Sequence, residues 1–273
     1  MDDQQFKQLL DYFQYSWAGY RKVRKGVKKR VSRHMQQLRC PNISEYLKLL
    51  DTNKKEREEC EKRMSVSISR FFRDRKLWLD LEKEMLSDLI DLQKDKLNVW
   101  FAGCARGEEV YSFMIVWDRL KSHFKRLPKL ELIATDMHPE YIDKAKDGIY
   151  TKSSLKEIPD EIRDVYFDRK KGGNRFDVKA AIKENINWQV LNIFCGPPGS
   201  GFHIVFLRNN LLTYYQSHLI KDTFTQIIES LSPGGWLIIG SHEKLPEESS
   251  RLTRNPSTLW AYCKKTSNRI QLL

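Results

Sequence analysis

Short apolar runs alternate with longer stretches of helical spacing from Leu97 onward, and this rhythm constrains the fold more than any other feature of the chain. The first two runs are each followed by a helical stretch, EEVYSFMIVWDRLKSHF and then PEYIDKAKDG, which ends at Gly148. Strands alternating with helices predict a doubly wound α/β domain with a mostly parallel sheet, because each crossover covers one face of the sheet. The runs predicted as strands are LNVWFAG, LELIATD, FHIVFLRN, GWLIIGS and TLWAYCK.

One segment, from Tyr166 to Asn192, breaks this alternation. A glycine turn, KKGGN, separates RDVYFDR from RFDVKAAI, and INWQVLNI follows. Short runs around a glycine turn predict antiparallel strands rather than another strand-helix unit. We therefore expect a small antiparallel β subdomain inserted at about residues 166–190.

The first 80 residues have a different texture. Apolar residues recur at helical spacing, as in Phe6, Leu9, Leu10 and Phe13, and Pro41 and Asn42 precede a second such stretch, EYLKLL. This pattern predicts an all-helical domain over residues 1–80, followed by the α/β domain over residues 81–273.

Composition narrows the possible partners and compartments. The formal charge is +12, and much of it lies between Tyr20 and Arg39, which suits nucleic acid, anionic lipid or an acidic protein surface. No apolar run approaches the ~20 residues that span a bilayer, and MDDQQFKQLL is unlike a secretory signal, so we expect a cytoplasmic protein. Five scattered cysteines without a CxxC pair argue against a disulfide framework or a metal site.

Candidate ligand-binding residues follow the first two strands of the α/β domain, where such sheets bind ligands. Gly103 and Gly107 of AGCARGEE allow a tight turn, but Glu108 and Glu109 would repel a pyrophosphate. Asp136 ends the second strand, where it either accepts ribose hydroxyls or caps the next helix. Together the two loops favour a nucleoside cofactor without a diphosphate, and S-adenosylmethionine (SAM) fits that description.

Five motifs follow one another between Ser69 and Glu243: SRFFRD, AGCARGEEVYS, ATDMHPEYIDKAKDGIY, LRNNLLTYY and SPGGWLIIGSHE. In this order they resemble the chemotaxis receptor methyltransferases of the CheR type. The resemblance implies methyl transfer from SAM to glutamate side chains of chemoreceptors, with S-adenosylhomocysteine as the product. No general base or metal is expected, because a glutamate with a pKa near ~4.3 is already ionised at neutral pH.

The resemblance also implies roles for individual residues. Arg73 would lie beside the transferable methyl group and orient the acceptor carboxylate, with Arg208 near the acceptor side. Glu109 and Asp136 would hold the amino and ribose parts of SAM. The basic N-terminal helices would face acidic receptor helices, and the β subdomain docks a receptor tail peptide in some members. Further implied cofactor contacts are Ser67, Ser69, Gly103, Asn192, Ile193 and Leu207, and Arg73 and Arg208 are also implied to contact the cofactor.

Departures from the family pattern concentrate in LRNNLLTYY. Leu207 replaces the usual cysteine and Thr213 replaces the usual tyrosine, so that Tyr214, the remaining candidate, comes one residue late. On a helix one residue rotates a side chain by about 100°. Three interpretations therefore stay open: a receptor methyltransferase, a SAM-dependent enzyme for another protein or for RNA, and a non-catalytic SAM-binding module.

Overall fold

The computed structural model describes residues 1–66, 69–93, 95–256, 258 and 260–266 of the chain. Contacts divide it into a helical unit (Met1–Ser67 and Asn209–Lys221) and an α/β unit (Ile68–Arg208 and Asp222–Leu273). This division differs from the boundary expected near residue 80, because Phe71, Leu77 and Trp78 are buried in the core of the α/β unit.

The helices, in chain order, are α1 (Asp3–Tyr12), α2 (Trp17–Tyr20), α3 (Arg24–Gln37), α4 (Ile43–Thr52), α5 (Lys54–Met64), α6 (Arg75–Asp80), α7 (Leu86–Leu92), α8 (Glu108–Leu120), α9 (Pro139–Asp147), α10 (Asp160–Tyr166), α11 (Ala180–Lys183), α12 (Leu211–Tyr214) and α13 (Ser217–Ser230). A π-helical turn, Leu81–Met85, joins α6 to α7. Two 3-10 turns are Ile193–Cys195 and Glu247–Arg251. Among the described residues, none of these helices has the length and apolar character needed to cross a membrane.

The strands are β1 (Lys96–Ala102), β2 (Lys129–Asp136), β3 (Ile149–Thr151), β4 (Phe167–Arg169), β5 (Arg175–Val178), β6 (Ile186–Val190), β7 (Phe202–Leu207), β8 (Leu231–Ile239), β9 (Leu252–Arg254) and β10 (Ala261–Lys264). Seven of them form one sheet in the order β6-β2-β1-β7-β8-β10-β9. Every pairing from β6 to β8 is parallel, and β10 and β9 add antiparallel pairings. The predicted doubly wound, mostly parallel sheet is confirmed. Parallel strands end at one side, which we call the carboxyl edge.

A second, three-stranded antiparallel sheet has the order β3-β5-β4 and confirms the expected small β subdomain. The interpretation of INWQV as an antiparallel strand was wrong, because β6 pairs in parallel with β2 from Leu132–Ile186 to Asp136–Val190. As the edge strand of the main sheet, β6 is only partly buried along its length. Its mixed polarity therefore resembles that of a half-exposed antiparallel strand.

The helical unit is assembled around one apolar core. Phe6, Leu9 and Leu10 of α1 and Tyr46 and Leu50 of α4 are buried in it, as their helical spacing predicts. The Asn42 side chain caps α4 by accepting the Glu45 N–H at 2.9 Å. The basic helix α3 can pack against this core because it needs only one apolar face toward its neighbours.

The segment after β7 belongs to the helical unit. The Ser16 N–H donates to the Tyr214 carbonyl at 2.8 Å, and the Gln216 N–H donates to the Gln14 carbonyl at 3.0 Å. Gly19 of α2 lies so close to the backbone of α12 that a Cβ at this position would be 2.0 Å from the Thr213 carbonyl oxygen. Only glycine can occupy this position without moving the backbone of α12 or α2.

Candidate functional site

The loop after β1 is fixed by its own N–H groups. Gly103 has a φ of 81°, and the N–H groups of Gly103 and Cys104 both donate to the Thr135 carbonyl, at 2.9 and 2.8 Å. The Ala105 N–H donates to Asp136 Oδ2 at 2.9 Å. Loops that bind diphosphates instead direct such N–H groups at the ligand. This arrangement agrees with the expectation of a cofactor without a diphosphate.

Asp136 joins the ends of β2 and β1. Its Oδ1 accepts the His138 N–H at 3.0 Å, while Oδ2 accepts the Ala105 N–H. Burial raises the pKa of Asp136 above its ordinary value, although these N–H groups and His138 act in the opposite direction. Each carboxylate oxygen has a second lone pair. Asp136 can therefore hold the loop and still accept hydroxyl groups.

Arg208 follows β7 and is only 6% exposed. Its guanidinium donates from Nη1 to Glu109 on α8 and from Nη2 to Asp74. In the described part of the chain, Arg208 Nε has no hydrogen-bond partner. A buried arginine held by two carboxylates is a strongly oriented cation, since the planar guanidinium fixes its own donors.

The FFRD turn, Phe71–Asp74, is anchored on several sides. Phe71 is fully buried, with its ring edge-on to Tyr150 at 4.8 Å. The Phe72 N–H donates to Ser112 Oγ at 2.9 Å, and the Trp78 indole N–H donates to the Arg73 carbonyl at 2.8 Å. Half-buried Arg73 is thus carried on a turn whose backbone is held by the α/β core.

Glu108 lies beside this turn, at the start of α8. It is 4% exposed and accepts a hydrogen bond from Ser69. Burial raises its pKa, although its own backbone N–H and Arg106 act against that rise. Among the described residues Glu108 Oε2 has no partner. The Glu108–Glu109 doublet is visible in the sequence, but nothing local indicated that the first glutamate is buried and the second ion-paired.

The remaining predicted site residues fall into four groups. Asn192 is exposed and Ile193 is half-buried, and both lie in the turn that follows β6 at the carboxyl edge. Leu207 ends β7, but its side chain is fully buried. Tyr214 lies in the helical unit, where its ring centroid is 5.2 Å from that of Tyr20. Ser67 lies outside the described residues.

The carboxyl edge therefore brings together the ends of four parallel strands with Gly103, Asp136, Asn192 and Arg208, and α8 adds Glu109. A doubly wound sheet with a glycine loop after the first strand and an acidic residue after the second has the features of a nucleoside-cofactor site at this edge.

Comparison with known families specifies the class further. Residues 67–260 match the CheR methyltransferase, SAM binding domain, and this chain belongs to that family. It is 26% identical to a chemotaxis protein methyltransferase of Listeria monocytogenes, covering 80% of this chain and 81% of the relative. The corresponding values for chemotaxis protein methyltransferase 1 of Pseudomonas aeruginosa are 28%, 86% and 88%.

Two other similarities have a narrower meaning. A 104.1 kDa uncharacterized protein of Rhodobacter capsulatus is 26% identical over 80% of this chain, which spans only 23% of that protein. The solved N-methyltransferase NodS of Bradyrhizobium japonicum matches with a TM-score of 0.35 and 16% identity, covering 68% of this chain and 97% of that one. A TM-score this low supports no conclusion about the site.

The residues at the carboxyl edge fit SAM by their chemistry. Its sulfonium and ammonium groups are cationic, and the edge holds Asp74, Glu109 and Asp136 as nearby carboxylates. Its single carboxylate has a complementary cation in Arg208. Glu109 suits the ammonium group, and Asp136 suits the ribose hydroxyls. When bound, SAM supplies an electrophilic methyl group and leaves as a neutral thioether.

Proposed function

We propose that this chain esterifies glutamate side chains of chemoreceptors, using SAM as the methyl donor. The observation that carries the proposal is the anchored FFRD turn, which holds the cation Arg73 in the same unit as Glu109, Asp136 and Arg208. A carboxylate acceptor needs a cation to orient it, and a guanidinium can bind both of its oxygens. The chemotaxis methyltransferases among its relatives support the same acceptor class.

The protein's contribution is placement rather than proton transfer. An ionised glutamate is already nucleophilic, so Arg73 is required to orient one carboxylate oxygen toward the methyl group. Orientation of this kind contributes up to about 7–11 kcal/mol in favourable systems. Arg73 must not grip the carboxylate too strongly, because ground-state binding alone does not raise the rate.

The basic face of α3 supports an acidic protein as the partner. Lys25, Lys29 and Arg33 are exposed and recur every four residues, so they lie on one side of the helix. Val27, Val31 and Met35 are buried on another side. We assign this face, called the α3 basic stripe, to the acidic methylation helices of a receptor, and we place the reaction in the cytoplasm.

A receptor tail peptide has a candidate location near the small sheet. A cavity of about 480 Å³ is lined by Lys152, Lys156 and Arg163 together with Leu155 and Ile158. Arg163 is fixed by Asp160 at 2.7 Å, whereas both lysines are exposed. Asp160 also lines the cavity and neutralises Arg163, so the two exposed lysines carry its net positive charge, which suits an acidic peptide.

Transfer of a tritiated methyl group from SAM to receptor-rich membranes, followed by mild alkali, tests the proposal. We expect base-labile label in protein that is released as methanol. Label in RNA or alkali-stable label in protein would indicate another acceptor. Clear SAM binding by calorimetry without any transfer would indicate a non-catalytic module.

Arg73→Ala tests the role of the turn in the same assay. We expect transfer to fall at least a hundredfold while SAM affinity stays within about threefold, because orientation effects are large. Arg70→Ala is the matched control, since Arg70 is exposed and 3.9 Å from Glu157. Equal turnover of the Arg73 variant and the wild type would remove Arg73 from the mechanism.

A further inference from the structure

Asp74 departs from the usual behaviour of an aspartate before a helix. It immediately precedes α6, where aspartate side chains ordinarily accept an N–H of the first turn. Here the Asp74 side chain makes no such hydrogen bond, and its φ is 61°, in the left-handed region. Its carboxylate is instead bonded to Arg208. A costly backbone conformation and an unused capping position both accompany this one ion pair.

The role of the Asp74–Arg208 ion pair follows from the second carboxylate bonded to Arg208, that of Glu109. Arg208 is buried, and the carboxylates bonded to it are those of Glu109 and Asp74. Under the proposed function, Glu109 engages the ammonium group of SAM and becomes shared between two cations. A buried guanidinium with a weakened counter-charge is unfavourable and poorly oriented. Asp74 can then supply the counter-charge that Arg208 would otherwise share with the ammonium group.

Asp74 also connects two parts of the site. It is the last residue of the FFRD turn, and the Arg73 carbonyl before it accepts the Trp78 indole N–H. Its ion pair ties that turn to the end of β7, 134 residues away in sequence. A displacement of Arg208 would therefore reach the turn that carries Arg73.

We propose that Asp74 is a positioning residue that holds the Arg208 guanidinium in place for the cofactor's carboxylate and ties the Arg73 turn to β7. This inference rests on the proposed function for SAM as the cofactor and is independent of the identity of the methyl acceptor. The assignment concerns cofactor binding first, so it can be tested without any acceptor.

Two substitutions separate positioning from folding. Asp74→Asn keeps the shape and removes the charge. Asp74→Gly also removes the carboxylate, but glycine tolerates the left-handed backbone. Asp80→Asn is the matched control, because Asp80 pairs with Lys76 at 2.9 Å within α6 and does not touch Arg208. The measurements are S-adenosylhomocysteine affinity by calorimetry, thermal unfolding, and KM for SAM against kcat.

We expect Asp74→Asn and Asp74→Gly to bind S-adenosylhomocysteine about tenfold more weakly, with a matching rise in the KM for SAM and no loss in Asp80→Asn. Asp74→Glu, which keeps the charge, should recover part of the affinity. Folded Asp74→Asn and Asp74→Gly proteins with wild-type affinity and KM would overturn the proposal. Failure of both variants to fold would also overturn it, by showing a structural role alone. A changed methyl acceptor would leave these binding results untouched and would contradict only the proposed function.

Discussion

The carboxyl edge of the α/β unit and the α3 basic stripe of the helical unit use charge in opposite ways. At the edge, Arg208 and Asp136 are buried and individually partnered, Arg208 with Glu109 and Asp74, and Asp136 with two backbone N–H groups. On the stripe, the cations face solvent. Buried charge acts at one fixed point and is barely screened, whereas exposed charge acts collectively and weakens with salt. The buried charge of the carboxyl edge suits cofactor binding, and the exposed charge of the α3 basic stripe suits recruitment of a partner.

Removing the central cation of the edge should have the largest effect. Arg208→Met keeps an extended side chain but leaves Glu109 and Asp74 without their shared counter-charge. We expect the free energy of unfolding to fall by about 3 kcal/mol, the lower end for a broken buried ion pair, because the two carboxylates that lose their counter-charge are half-buried. Denaturant unfolding measures this effect, and calorimetry should show loss of S-adenosylhomocysteine binding. Lys29→Met on the stripe is the control, and equal losses in the two variants would refute the contrast.

A change at a tight contact in the helical unit should come second. Gly19→Ala places a methyl group 2.0 Å from the Thr213 carbonyl oxygen. We expect a loss of about 2–3 kcal/mol in the free energy of unfolding, near the upper end for overpacking. At Gly26 on α3, an added Cβ would meet only Arg30 Nη1 at 3.8 Å. Gly26→Ala should therefore stabilise by roughly 0.5–1 kcal/mol, and losses of similar size in both variants would contradict the packing argument.

The buried carboxyl of Glu108 should produce a smaller, pH-dependent effect. Burial raises its pKa above the ordinary 4.5, so the folded state retains a proton that the unfolded state has released. The stability that the Glu108 carboxyl contributes is therefore present below the ordinary pKa of 4.5. It is lost as the pH rises through the higher pKa of the folded state. Glu108→Gln should flatten this slope and gain about 1 kcal/mol at neutral pH.

Unfolding measured between pH 4 and pH 7 checks the sign of that effect. Exposed Glu84 supplies the control variant, Glu84→Gln, which should leave the slope unchanged. Asp136 also has a raised pKa, so part of the slope should persist in Glu108→Gln. A stability that falls more steeply with pH in Glu108→Gln than in the wild type would refute the assignment.

The sequence predicted the features of this fold that have a local signature. Alternating strands and helices and the stop at Gly148 each depend on a few neighbouring residues. The parallel pairing of β6 escaped prediction because edge strands share the polarity of half-exposed antiparallel ones. Three-residue β3 was too short to produce a pattern.

The candidate site was predictable only where strand ends mark it. Gly103 and Asp136 follow directly from the rhythm of the first two strands. The Arg208–Glu109 and Arg208–Asp74 ion pairs join residues 99 and 134 positions apart, and no local spacing indicates such pairings. The grouping of Tyr214 with the helical unit depends likewise on a distant residue, Gly19. The catalytic role of Tyr214 stays a prediction.

The α3 basic stripe should give the smallest effect on stability and a distinct effect on function. Lys25→Gln with Lys29→Gln removes two exposed cations, and such surface changes usually alter the free energy of unfolding by less than about 0.5 kcal/mol each. We expect methyl transfer to receptor-rich membranes to fall severalfold at low salt and to depend less on ionic strength, because fewer charges attract the acidic partner.

The double substitution Lys54→Gln with Lys55→Gln makes the same change in net charge on α5, where both lysines are exposed. If the stripe recruits the acceptor, this control should retain most of the wild-type transfer and its salt dependence. Equal loss in the two double variants would mean that net charge alone attracts the partner, which would remove the assigned role of the stripe. The proposed role of the cluster around Arg208 would be unaffected by that result, since that role concerns the cofactor and not the acceptor.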